Sequence, residues 1–181
     1  MINIIQKFNK FVFAIAIISA AASMAAAQKD SQRVPELPAG CEQLQVPEGN
    51  KVAYRVYASG VQVYSWNGTS WGFVGPIATL YANAGMTGKV GLHYGGPTWK
   101  SNSGSLVIGK NPIRCTPDPD SIPWLRLEAD ETDGPGIFNG VTFIQRVNTS
   151  GGKAPSEPGT IDGEQVNVPY TAQYVFYKSR Y

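Results

Sequence analysis

The sequence is poor in the residues from which metal centres and catalytic sites are usually built. Its 181 residues include one histidine, His93, and two cysteines, Cys41 and Cys115. A zinc site takes three or four ligands, and one histidine with two distant cysteines supplies them poorly. We therefore expect no metal, and no motif indicates another cofactor.

An excess of charge of either sign is also missing. The chain carries 15 Lys and Arg against 13 Asp and Glu. Two of the fifteen basic residues, Lys7 and Lys10, lie in a predicted signal peptide, so 13 of each sign remain in the mature chain. Nucleic-acid binding needs clustered lysine and arginine to neutralise phosphates, and the sequence has no such basic cluster. We therefore do not expect nucleic acid as a partner.

Beyond residue 27 the chain has no apolar run long enough to span a membrane. Near its start, Lys7 and Lys10 are followed by an apolar run over residues 11–22 and by small residues at 23–27. This order is typical of a secretory signal peptide, residues 1–27. The alternative, an uncleaved membrane anchor, is less favoured because a membrane span takes about 20 apolar residues and this run is shorter. We therefore expect a secreted or periplasmic monomer with no membrane span after cleavage.

The mature chain would comprise an N-terminal arm, residues 28–44, and a single domain, residues 45–181. Its two cysteines favour a disulfide, since exported proteins form such bonds and the count is even. A Cys41–Cys115 bond would close a long loop and stabilise the fold by about 4 kcal/mol. Two buried free thiols, or a shared metal, are the alternatives.

Alternation of apolar and polar residues with a period of two is widespread, and no mature segment has a helical period. Residues 51–58 and 61–66 alternate in this way, which predicts half-buried strands. Asn67-Gly68 then precedes another aromatic run, and this dipeptide between alternating runs is a strong hairpin signal.

Turn-forming residues divide the remaining chain into short pieces. Ser59-Gly60 and Gly75-Pro76 are interpreted as strand ends, and three Gly- and Pro-rich stretches as connections: residues 111–123, 129–139 and 148–163. Nine or ten short strands follow from these divisions. They predict an all-β, single-domain antiparallel β-sandwich or β-barrel, and the strand order leaves that choice open.

Residues 91–105 contain three candidates for a ligand-binding site, His93, Trp99 and Asn102. His93 lies on a predicted strand and could act as a general base, or it could be buried and bond a backbone carbonyl. Trp99, beside Asn102, could form an exposed platform that stacks on a sugar ring. The alternative for Trp99 is packing inside the protein.

The other tryptophans favour structural roles. Trp66 and Trp71 flank the Asn-Gly turn and would form a cross-strand pair, and Trp124 is interpreted as packing too. Arg146 is a further candidate for ligand binding, because it projects from a predicted strand on the side of an apolar residue. Such a charge usually pairs with a carboxylate or caps loop carbonyls, and anion binding is another possible role.

Evidence for catalysis is weaker. Ser103 or Ser105 could lie near His93 and be activated by it, but Gly104 directly after Ser103 indicates a turn first. Acidic residues between 118 and 133 could act as a general acid and base or bind calcium, yet the glycines and prolines around them favour a solvated loop. No catalytic constellation is complete.

Several motifs resemble, in the same order, the family of DUF3455 domain-containing proteins. They lie at residues 60–64, 71–73, 91–99, 101–105, 122–125, 142–147 and 151–155. The resemblance covers roughly residues 45–178. It implies an exported single domain, and it brings no catalytic residues because the family has no assigned activity.

We therefore expect a non-catalytic binding or envelope-associated module with an aromatic loop surface around Trp99. Its ligand would be a glycan or a cell-envelope component. The alternative is an acid/base enzyme that uses His93 with a carboxylate. An inert envelope component is a third possibility.

Overall fold

Every long element of the structure is a β-strand, as the alternating pattern predicts. The computed structural model describes residues 32–181. The predicted signal peptide lies outside these residues. A three-residue 3-10 helix, Glu42–Leu44, precedes eight strands: β1 Asn50–Trp66, β2 Trp71–Tyr81, β3 Lys89–Tyr94, β4 Thr98–Ser101, β5 Leu106–Cys115, β6 Trp124–Asp133, β7 Val141–Gly151 and β8 Gln165–Ser179.

The strands form one closed antiparallel barrel. Each strand pairs with the next along the chain, and β8 returns to pair with β1. The closing ladder is long, running from Asn50 opposite Ser179 to Ser65 opposite Gln165. Closure pairs β1 with β8, so neither terminal strand is left as a free edge that could template aggregation. The all-β prediction is confirmed, and the choice between sandwich and barrel is decided for the barrel.

Within the described part of the chain, no helix has both the length and the apolar character needed to cross a membrane.

The strands are fewer and longer than predicted because two expected breaks do not occur. β1 continues through Ser59-Gly60, and β2 continues through Gly75-Pro76. Gly60 lies opposite Ala78, and a Cβ atom on it would stand 2.1 Å from the carbonyl oxygen of Ile77. The glycine therefore permits close approach of β1 and β2 and does not end a strand.

Predicted loops are likewise shorter than expected. β6 extends to Asp133 and β7 to Gly151, so both ends fall inside stretches interpreted as connections. β5 extends to Cys115 across Asn111-Pro112, where the pairing with β6 shifts between Lys110 and Ile113. Such a bulge accommodates the missing N–H of proline without ending the ladder.

Aromatic side chains fill the barrel interior. Tyr54 stacks on Phe176 with ring centroids 4.9 Å apart, and Phe138 packs on the same ring at 4.9 Å. Phe138 comes from the loop between β6 and β7 and is fully buried. Its backbone N–H donates to Ser105 Oγ, so the loop is held at this end of the barrel. We call the end of the barrel that carries Ser105 and Phe138 the closed end.

A second apolar cluster lies outside the barrel under the N-terminal arm. Cys41 and Leu44 of the arm pack there with Val147, Val175 and other outward-facing residues. Gln145 ties the arm down because its Nε2 donates to the Leu44 carbonyl at 2.7 Å. The arm from Val34 onward thus belongs to the same compact unit as the barrel, Val34–Tyr181.

The predicted bond between Cys41 and Cys115 is present. Their Cα atoms are 5.5 Å apart although 74 positions separate them in sequence. The bond joins the arm to the end of β5. Trp66 and Trp71 also form the expected cross-strand pair, with centroids 5.4 Å apart, and Trp124 is buried beneath the arm.

Removing the disulfide should destabilise the protein. We expect the double variant Cys41→Ser/Cys115→Ser to lose about 2–4 kcal/mol of unfolding free energy, because the unfolded chain regains the freedom of a long loop. Urea unfolding followed by tryptophan fluorescence measures the loss. Dithiothreitol should lower the stability of the wild type and leave the double variant unchanged; equal stabilities of the two oxidised proteins would contradict the prediction.

Gly60 should not tolerate a side chain. Gly60→Ala should cost about 2 kcal/mol or more, because the new Cβ meets the backbone of β2. Gly72→Ala is the matched control in β2: its nearest contact is Ser65 O at 3.6 Å, so we expect a change within about 0.5 kcal/mol. Urea unfolding of both variants tests the difference, and similar costs would rule out the steric explanation.

Candidate functional site

A cavity of about 400 Å³ opens where two neighbouring strands of the barrel are short. β3 ends at Tyr94 and β4 begins at Thr98, whereas β2 and β5 on either side continue past the turn between them. Beyond this turn, residues 71–76 of β2 pair only with β1, and residues 113–115 of β5 pair only with β6. This step leaves a gap in the wall.

The lining of the cavity has two parts. Its mouth is formed by the overhanging ends of β2 and β5 and by the β3–β4 turn, with Phe73, Val74, Gly95, Pro97, Pro112 and Arg114. Phe73 and Val74 are each 57% exposed, so the β2 side of the rim is apolar and accessible. The deeper walls combine polar and apolar residues, among them Gln62, His93, Trp99, Leu127, Arg146 and Tyr174.

Three predicted site residues, His93, Trp99 and Arg146, line this one cavity. His93 and Trp99 are opposite each other in the β3–β4 ladder. Their rings stack in parallel with centroids 4.4 Å apart. Tyr174 of β8 meets both rings edge-on, at 5.0 Å from His93 and 5.3 Å from Trp99.

The prediction that Trp99 forms an exposed loop platform is wrong. Trp99 belongs to β4 and is 1% exposed. Residues directly opposite each other in an antiparallel ladder share a face of the sheet. Because His93 points into the barrel at 3% exposure, its partner Trp99 points inward as well.

His93 is an uncharged residue of the cavity wall. Its Nδ1 lies 2.8 Å from the Thr98 carbonyl oxygen, which can only accept a hydrogen bond. Nδ1 therefore carries the proton, and Nε2 keeps its lone pair. Burial lowers the pKa of His93 to about 3, against the hydrogen bond to Thr98 and with a small contribution from the charge of Arg146. The interpretation of His93 as a buried residue bonded to a backbone carbonyl is confirmed.

Arg146 is the cation of the cavity interior. It is 8% exposed, and its Nε and Nη2 donate to the Pro123 carbonyl oxygen at 3.0 and 2.8 Å. This contact confirms the role of capping a loop carbonyl. Among residues 32–181, no Asp or Glu forms an ion pair with it. The positive charge therefore faces the cavity without a carboxylate partner in the described chain.

Several residues that line the cavity with Arg146 carry buried polar atoms without a hydrogen-bond partner. They include Gln62 Nε2, Trp99 Nε1 and the Tyr174 hydroxyl. Burial raises the pKa of Tyr174 against the charge of Arg146, so its hydroxyl stays protonated. Tyr174 and Arg146 are near enough to influence each other electrostatically, but their contact does not meet the distance and angle of a hydrogen bond. An unsatisfied buried donor costs about 1–3 kcal/mol.

Asn102 lies away from the cavity. Its backbone N–H donates to Val90 O at 2.8 Å and its Nδ2 to Lys89 O at 2.7 Å. Both bonds fasten the end of β4 to the start of β3, at the closed end of the barrel. Asn102 therefore holds a turn, and it does not join His93, Trp99 and Arg146.

The serines suggested as nucleophiles are at the closed end too. Ser101 Oγ is 2.9 Å from Ser103 Oγ and 2.8 Å from Ser105 Oγ, and this cluster supports the Phe138 loop. Residues 68–72 match the Gly-x-Ser-x-Gly pattern of hydrolases, but they form the β1–β2 hairpin and not the strand-to-helix turn that the mechanism requires.

Acidic residues do not build a site either. Asp130 lies on β6 and forms an exposed ion pair with Lys110 at 2.8 Å. In the part of the chain that the structure describes, no three His, Cys, Asp or Glu side chains are close enough together to hold a metal ion.

Sequence reasoning missed Gln62 and Tyr174. Both stand at inward positions of long strands, β1 and β8, where neighbouring inward residues are Ala58 and Phe176. A polar residue at an inward position of an alternating strand was the available signal for Gln62. Tyr174 gives none, because a tyrosine is equally common in an ordinary core.

Fold and cavity together define a closed eight-stranded antiparallel barrel with an internal cavity of ligand size. The chain belongs to the family described as "Protein of unknown function (DUF3455)", whose model matches residues 47–178. The resemblance inferred from the motifs is thus confirmed. No curated protein and no solved structure gives a match.

His93 should make the fold sensitive to acid. Well above pH 6.5, its ordinary pKa, the imidazole is neutral in both folded and unfolded chains. As the pH falls from 6.5 towards 3, the unfolded chain binds a proton that the folded chain excludes, so stability is lost at up to about 1.4 kcal/mol per pH unit.

Urea unfolding between pH 7 and about 4.5 measures this slope. His93→Gln is the matched control because glutamine stays neutral and can donate to the Thr98 carbonyl. Its stability should fall less steeply, since the carboxylates titrate alike in both proteins and His93 is the only histidine. Parallel curves for the two proteins would show that His93 can be charged in the folded state.

Proposed function

We propose that the protein is an exported, non-catalytic binding module that takes a small ligand into the barrel cavity. The observation that carries this proposal is the convergence of His93, Trp99 and Arg146 on one cavity from three different strands. The disulfide between Cys41 and Cys115 and the predicted signal peptide support an extracytoplasmic setting, where a glycan or other envelope component is one source of ligand.

Size and lining support a ligand site. Binding pockets for small molecules have volumes of roughly 300–1,000 Å³ and are largely apolar with a few convergent polar groups. The cavity has about 400 Å³, apolar walls at Leu125 and Leu127, and polar groups at Gln62 and Arg146. These residues lie on β1, β6 and β7, and the hydrogen bonds between strands fix their backbone. We therefore expect the cavity to have the same shape before a ligand enters.

The enzyme alternative has less support than binding. General acid/base catalysis needs a group whose pKa lies near the working pH. None of the described residues that line the cavity is Asp or Glu. His93, with its pKa lowered to about 3 by burial, is a weak base and lacks the carboxylate that this alternative requires.

Binding can be tested with N-phenyl-1-naphthylamine, an uncharged apolar fluorophore whose emission rises in apolar sites. We expect saturable binding to the wild-type protein. Gly95→Trp should weaken it by about tenfold or more, because Gly95 lines the mouth and a Cβ there meets no atom within 4 Å, so the bulky ring can occupy the entrance.

Gly72→Trp is the matched control, since Gly72 is an exposed glycine of β2 that does not line the cavity. It should bind the fluorophore like the wild type. A wild-type protein that does not bind the fluorophore, or two variants that weaken binding equally, would refute the cavity as the binding site.

A further inference from the structure

We infer that the cavity selects a small monocarboxylate with an apolar body, and that Arg146 binds its charged end. This inference rests on the proposed function, because it names the class of ligand for the same cavity. It follows from the charge, the free hydrogen-bond donors and the apolar walls around Arg146.

The first argument is the uncompensated charge of Arg146. Removing a cation from water is costly unless an anion pairs with it. Arg146 is 8% exposed and has no ion-pair partner among residues 32–181. The acceptor of its two hydrogen bonds is a neutral carbonyl, that of Pro123. A ligand anion in the cavity would supply the missing opposite charge.

The second argument concerns hydrogen-bond geometry. Pro123 O accepts hydrogen bonds from Nε and Nη2 of Arg146, which orients the guanidinium. These two bonds do not use the N–H groups of Nη1. A planar guanidinium suits the two oxygens of a carboxylate. Trp99 Nε1 is a buried donor without a partner, and it lies on a residue that lines the same cavity. Gln62 Nε2 also lacks a well-formed hydrogen bond, although its amide lies near the Tyr170 hydroxyl. They would complement acceptor oxygens of the ligand.

One negative charge is favoured over two. His93 also lines the cavity, but its Nδ1–H bond to Thr98 and its burial keep the ring neutral, so it adds no positive charge. Arg114, the other cation of the lining, is exposed at the mouth. A dianion such as a phosphate monoester would therefore retain an uncompensated charge in the interior.

The body of the ligand should be apolar. Ile122, Leu125 and Leu127 line the cavity beside Arg146, and Phe73 and Val74 continue the apolar surface to the mouth. Burial of apolar ligand surface against such walls contributes roughly 25 cal/mol per Å². The arrangement thus fits an aromatic or aliphatic acid whose carboxylate points inward.

The test compares two probes of the same shape, 2-naphthoate and 2-naphthamide, as competitors of N-phenyl-1-naphthylamine. The wild-type protein should prefer the carboxylate by about tenfold or more, the difference expected for a charge-assisted hydrogen bond. Arg146→Gln should abolish the preference while the uncharged fluorophore still binds. Arg146→Lys should retain part of it, because the charge remains and the planar fork is lost.

Arg126→Gln is the matched control. Arg126 also donates to a backbone carbonyl, that of Gln45, but it lies outside the cavity. Its replacement should leave the preference intact. If Arg114→Gln, and not Arg146→Gln, removes the preference, the charged end binds at the mouth and the assignment to Arg146 is overturned.

The outcomes separate the two proposals. A wild-type protein that does not bind the fluorophore refutes the proposed function. Fluorophore binding with equal displacement by carboxylate and amide refutes only the carboxylate inference. If Arg146→Gln does not fold, salt decides: a preference that persists at about 0.5 M NaCl supports a buried charge, and one that disappears overturns it, because salt screens exposed charges far more strongly.

Discussion

The structure depends on the pairing of β1 with β8, which closes the sheet. Because this ladder is the longest in the barrel, the two strands can form a continuous wall while their neighbours differ in length. A closed sheet tolerates two short strands, since their outer partners remain held on the other side. β3 and β4 are these short strands, and the gap between the longer β2 and β5 is the mouth of the cavity. The site is thus a consequence of unequal strand lengths in a closed barrel.

Within that frame, Arg146 determines the electrostatics of the interior. Its charge lowers the pKa of the buried His93 and opposes the rise that burial causes in the pKa of Tyr64 and Tyr174. Burial is the larger effect for each of these groups, so the imidazole and the hydroxyls stay neutral. Among the described residues that line the cavity, Arg146 is thus the one buried cation, and the proposed carboxylate recognition rests on this arrangement. The same neutrality makes proton transfer by His93 difficult.

The sequence predicts the strands of this fold better than their ends. Alternation is a local property, and it identifies β1 and β2 correctly. Whether a glycine ends a strand or permits close approach depends on the opposite strand, and for Gly60 that is the backbone at Ile77 and Ala78. The prediction that Trp99 is exposed is wrong for the same reason, because its inward orientation follows from its pairing with His93 on the neighbouring strand. Arg146 and His93 were identifiable as unusual residues in strands, but their meeting in one cavity depends on strand order, which periodicity does not encode.

A disulfide and a hydrogen bond attach the N-terminal arm to one side of the cavity mouth. Cys115 ends β5, one side of the mouth, and its bond to Cys41 attaches that side to the arm. Gln43 of the arm adds a hydrogen bond from Nε2 to the Arg114 carbonyl at 3.2 Å. The opposite side, residues 71–76 of β2, is held by its ladder with β1 and by close backbone approach of Gly75 to Gly95. One side of the entrance is therefore fixed covalently and the other by hydrogen bonds and packing. The disulfide thus stabilises the geometry of the entrance as well as the fold, since without it only the Gln43 hydrogen bond would join the end of β5 to the arm.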